Sequence, residues 1–103
     1  MNILNSIVMN AMSKEEIDEL DLSPEEFFKA LTKSDRMLIA LRDELYDGDW
    51  VTMREDISNR MKGQPYLFKF VHRAEKDLES IEKISSFEKT HNVDLNMFLK
   101  KER

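Results

Sequence analysis

Apolar residues recur along this chain at helical spacing, and no segment rich in Val, Thr and Tyr reads as a strand. Ile3, Leu4, Ile7, Val8 and Met12 share one helical face, with Asn2, Asn5, Ser6 and Asn10 on the other. Ser13-Lys14-Glu15-Glu16 and Ser23-Pro24-Glu25-Glu26 are both capping boxes, in which a serine hydroxyl and a glutamate three residues on satisfy each other's backbone N–H groups. The first predicts a short acidic helix carrying Ile17 and Leu20. The second, with Pro24 at the favoured first position, predicts a helix with Phe27, Phe28 and Leu31 on its apolar side.

Farther on, Met37-Leu38-Ile39-Ala40-Leu41, extended by Leu45, is apolar nearly all round and predicts a helix at the centre of a bundle. The pattern leaves open whether the helix from Pro24 runs through residues 32–35 or whether Ser34 caps a new one. Asp47-Gly48-Asp49 reads as a turn, with Gly48 taking a positive φ and Asp49 capping the next helix. Trp50, Met53, Ile57 and Met61 form a seam that Gly63 closes. A long helix over about 65–91 comes next, opened by Pro65 and marked by Leu67, Val71, Ala74, Leu78 and Ile81 at alternating spacings of four and three. Asn92 terminates it, Asp94 caps a last short helix, and Met97, Phe98 and Leu99 fold back onto the core. These elements predict an all-α fold: one compact helical bundle of four to six helices spanning residues 1–103.

Composition agrees with this reading. The chain has 41% hydrophobic and 36% charged residues with only two glycines and two prolines, which describes a folded helical protein with a solvated surface. Zero cysteines remove disulfides, thiolate metal sites and cysteine nucleophiles. The apolar run from Ile3 to Met9 is too short to span a bilayer, and no Lys or Arg precedes it, so no membrane role is expected and the cytoplasm is the default location.

Charge is distributed unevenly. Residues 1–59 carry 14 acids against 6 bases, while residues 60–76 carry 5 bases against Glu75 alone. Within that basic stretch Lys69, Arg73 and Lys76 recur at i, i+4 and i+7 on the side away from the seam, with Phe68 and His72 beside them. Phe68, Lys69, His72, Arg73 and Lys76 are therefore the candidate partner-binding residues, and the partner they fit is an acidic protein surface. Two readings compete with it. Plain solvation, or neutralisation by the acidic first half, would leave the row without a role. A nucleic-acid-associated regulator would use the whole 60–76 patch on a phosphate backbone, against the net charge of −5. The uncharged first helix would need cover either from its own bundle or from a second copy, making a homodimer. Phe87 falls on the lysine side and would be covered by Phe98 or Leu99, or by a second chain.

Catalytic and metal chemistry find no foothold. Ser13, Ser23 and Ser34 are explained as caps, and no glycine-rich turn exists to expose a nucleophile or cradle phosphate. His72 and Glu75 form one reversed Glu-x-x-His pair, and His91 suits a helix end. The segment from Asp43 fails the calcium-loop pattern at Leu45 and Arg54. A helix-turn-helix reading around Asp47-Gly48-Asp49 would put Arg54, Glu55 and Asp56 where base contacts belong. Trp50 reads as a core anchor. The expectation is a non-catalytic protein–protein interaction or regulatory module, without cofactor or metal.

Overall fold

Local hydrogen bonds set the helix boundaries. The computed structural model describes residues 14–63 and 68–101, the side chains of residues 14, 18, 68–72 and 101 excepted. Its helices are α1 (Lys14–Glu19), α2 (Pro24–Ala30), α3 (Lys33–Leu45), α4 (Trp50–Gly63), α5 (Phe68–His91) and α6 (Asn96–Lys101), with no strand among the described residues. The first helix expected from Ile3 to Met12, the Ser13 cap and the Pro65 start lie outside the described residues.

The Ser23 capping box forms as expected: the Ser23 hydroxyl accepts from the Glu26 N–H at 3.2 Å, and the Glu26 carboxylate accepts from the Ser23 N–H at 3.1 Å. Helix α2 stops at Leu31, whose ψ of 144° is extended, so α2 and α3 are separate helices. The cap of α3 is Thr32 and not Ser34. The Thr32 hydroxyl accepts from the Asp35 N–H at 3.1 Å, and Asp35 places an acid in the first turn, where the helix dipole favours it. Arg36 then reaches back to donate to the Phe28 and Lys29 carbonyls at 3.2 and 3.1 Å, with its guanidinium 4.6 Å over the Phe28 ring. One side chain thus caps the end of α2 and fixes its angle to α3.

The turn from α3 to α4 uses two left-handed residues, Asp47 at φ 54° and Gly48 at φ 78°. A Cβ on Gly48 would meet nothing closer than 3.8 Å, so the backbone angle, not space, is what asks for glycine. Asp49 caps α4 through the Val51 N–H at 3.0 Å and the Thr52 hydroxyl at 2.7 Å. Helix α5 ends at Asn92, φ 50°, where the Val93 N–H bonds the Glu88 carbonyl at 3.1 Å in a Schellman closure.

Helix α5 is the hub of the packing, touching α1, α3 and α4, while α6 docks on α3. Two apolar clusters meet along it. Ile17, Phe27, Phe28, Leu31, Ile39, Ile84, Phe87 and Leu95 belong to the larger, and Leu38, Met53 and Ile81 make the smaller. Helix α3 is less central than its composition suggests: it buries Asp35, Leu38, Ile39 and Arg42, but Met37 and Leu45 are 53% and 66% exposed.

Phe87 is a core residue, stacked on Phe27 at 3.8 Å, with Phe98 and Leu99 at the border of the same cluster. At about 100° per residue Phe87 lies roughly 120° from Ile81, so the buried arc of α5 widens toward its C-terminus. The cause is a change of neighbours. Only the C-terminal half is enclosed on a second side by residues of α1, α2 and the α6 end, whereas Ala74 and Leu78 are half-buried.

Candidate functional site

Helices α4 and α5 form an antiparallel hairpin, because Trp50 at the start of α4 bonds Glu88 near the end of α5 and Met53 meets Ile81. The end of α4 therefore lies beside the start of α5, and the bases of both segments gather at one tip. Arg60 and Lys62 occupy the last turn of α4, and Lys69, Arg73 and Lys76 follow in α5. Cations early in a helix oppose its dipole, but the carbonyl end of α4 is close by and offsets that cost.

All five predicted residues lie within the first nine positions of α5. Arg73 and Lys76 are exposed, while the side chains of Phe68, Lys69 and His72 are outside the described residues. Part of the charge is answered locally. Asp77 is half-buried, and its carboxyl is pushed above the ordinary range by burial and by nearby Asp35, with Arg73 and Lys76 pulling it back. Arg60 pairs with Asp56 at 3.2 Å on the surface, an interaction of small net value.

Behind the tip, toward the other end of the hairpin, lies a buried charge cluster that the hydropathy pattern does not single out. Arg42 is 2% exposed and Glu88 8%. The Arg42 guanidinium donates to both Glu88 oxygens at 2.9 and 3.2 Å, to Asp43 at 3.0 Å and to Asp94 at 2.7 Å. Glu88 also accepts the indole N–H of Trp50 and the Leu95 N–H at 2.8 Å, and Asn96 donates to Asp43 at 2.9 Å. The guanidinium lies 4.6 Å from the Trp50 ring. Burial alone would lower the Arg42 pKa, but the bonds to Asp94 and Asp43 and the charge of Glu88 hold it above its ordinary value. For Asp94, burial works against the charged form, yet the Asn96 N–H and Arg42 hold its carboxyl below the usual range.

The donors of this cluster are engaged within the chain, so it acts as a clasp joining α3, α4, α5 and α6. Its one sequence signal is charge at core positions: Arg42 lies three and four residues after Ile39 and Leu38, and Glu88 lies four and seven after Ile84 and Ile81. Trp50 anchors as expected, but through its N–H as much as its ring. His91 places Nδ1 3.0 Å from the Phe87 carbonyl, which can only accept, so that nitrogen carries the proton; the ring also stacks on Phe87 at 3.8 Å.

Among the described residues no three His, Cys, Asp or Glu side chains gather as a metal site, and no helix is long and apolar enough to cross a membrane. A cleft among Ile17, Phe27, Leu31, Asp35, Ser80, Lys83 and Ile84 has room for about one water. Comparison with known proteins finds no similarity: no family, no curated protein and no solved structure matches this chain.

Proposed function

We propose that this protein is a non-catalytic protein–protein interaction or regulatory module that docks an acidic protein surface on the basic tip of the α4–α5 hairpin. The observation that supports it most is the exposure of Arg73 and Lys76 on a part of α5 that lies beyond its last fully buried position, Ile81. Cations on a projecting helix pair steer an oppositely charged partner and set its orientation. A protein partner is favoured over nucleic acid because the rest of the chain repels phosphate: 14 acids stand against 6 bases in residues 1–59.

The test is affinity capture from native cell extract with tagged wild type beside the Lys69→Glu/Arg73→Glu/Lys76→Glu variant, after circular dichroism has shown both to be folded. A partner held by wild type through an acidic segment and lost by the variant is the expected result. Equal recovery would assign the row to solvation. Capture of nucleic acid, abolished by nuclease, would favour the regulator that binds phosphate through residues 60–76.

A further inference from the structure

The hairpin outruns its third helix. Helix α3 opens at Lys33, and its Asp35 lies close enough to Asp77 to raise that carboxyl's pKa, so α3 reaches the hairpin only as far as about Asp77. Beyond that level α4 and α5 have only each other among the described residues. The seam there is incompletely covered: Ile57 and Met61 on α4 and Ala74 and Leu78 on α5 are half-buried, while Met53 and Ile81 farther back are 2% and 0% exposed. Two packed helices bury one stripe each, and the flank of that stripe stays open until a third element lies against it.

Helix α1 packs on α5, with Ile17 beside Ser80, Lys83 and Ile84. The chain before Lys14 therefore departs next to the place where the cover on the hairpin stops. That preceding stretch has no charged side chain from Asn2 to Ser13 and carries Ile3, Leu4, Ile7, Val8 and Met12 at helical spacing. As a helix, residues 2–12 would be about 16 Å long, and α5 from residue 68 to residue 80 spans about 18 Å. Length, point of departure and apolar pattern agree.

We propose that residues 2–12 of the same chain occupy the groove between α4 and α5 beyond the start of α3, laying Ile3, Leu4, Ile7, Val8 and Met12 against Ile57, Met61, Ala74 and Leu78. The chain's own segment is preferred to a second copy for two reasons. A short tether gives it an effective concentration in the millimolar range. A stable dimer buries about 800 Å² on each partner, more than four half-covered side chains provide.

The absence of cysteine makes a direct test available. Ser6→Cys, on the polar face of the segment, is labelled with a nitroxide in the full-length protein, and amide signals are compared before and after reduction of the label. The expected result is loss of most amide intensity at Ile57, Met61, Ala74 and Leu78 within the labelled molecule. A second sample mixes isotope-labelled wild type with nitroxide-labelled, isotope-free Ser6→Cys protein. Loss confined to this mixed sample would make a second copy the occupant and overturn the proposal. Loss elsewhere in the fold, or none, would overturn it as well.

Discussion

Glu88→Ala removes one carboxylate and disturbs four elements at once. Arg42 loses the acceptor it holds with two bonds, and the indole N–H of Trp50 and the Leu95 amide lose theirs. Breaking a buried ion pair by deleting one partner costs about 3–5 kcal/mol, and each stranded donor accounts for about 1 kcal/mol or more of that. Arg42 keeps Asp43 and Asp94, so the lower part of the range applies, about 3 kcal/mol. For a domain near 100 residues this lowers Tm by roughly 12–24 °C, at about 4–8 °C per kcal/mol. Trp50 is the only tryptophan, so its fluorescence during urea or thermal unfolding reports from inside the cluster, with far-ultraviolet circular dichroism as the global probe. The double variant Arg42→Leu/Glu88→Leu should be less destabilised than Glu88→Ala, because the central charged pair is gone and apolar volume replaces it. A Glu88→Ala midpoint within about 4 °C of wild type, equivalent to roughly 1 kcal/mol, would refute the reading of this cluster as the clasp of the bundle.

Acid should loosen the same clasp. The Asp94 carboxyl is held below its ordinary value in the folded protein, so its stabilisation is present above the unfolded pKa of about 3.9 and is lost as pH falls through the lower folded value. Unfolding free energy measured by urea titration should fall more steeply below about pH 4 for wild type than for Asp94→Asn; equal slopes would contradict the assignment. At the end of α5, Asn92 sits at φ 50°, so Asn92→Gly should be neutral or slightly stabilising, while Asn92→Ala should cost about 1 kcal/mol. Equal Tm values for the two variants would show that the left-handed angle is not what selects asparagine.

Features decided within a few residues were legible in the sequence. The Ser23 capping box, the turn at Gly48, the Asp49 cap and the Asn92 terminator each depend on side chains and backbone atoms within about three residues of one another. Where two local solutions competed, the outcome turned on finer chemistry: Thr32 displaced Ser34 because its hydroxyl meets the amide of Asp35, an acid suited to the first turn. The course of burial on α5 was not legible. One period describes a helix with one neighbour, and α5 changes neighbours along its length, which brings Phe87 inward beside Phe27. Arg42 and Glu88 were hidden for a related reason. They are 46 residues apart, and a hydropathy reading treats each as surface. For the candidate site, the exposure of Arg73 and Lys76 followed from their position opposite the seam. The gathering of Arg60 and Lys62 at the same tip needed the antiparallel hairpin.

The most direct test of docking at the hairpin tip is hydrogen–deuterium exchange of the protein alone and in complex with the partner that the charge-reversal variant fails to capture. Protection on binding is predicted in residues 60–63 and 68–77, falling away toward Glu88 and α6. Protection centred on α2 or α6, with the tip unchanged, would contradict docking at the tip and move the interface to the opposite end of the molecule.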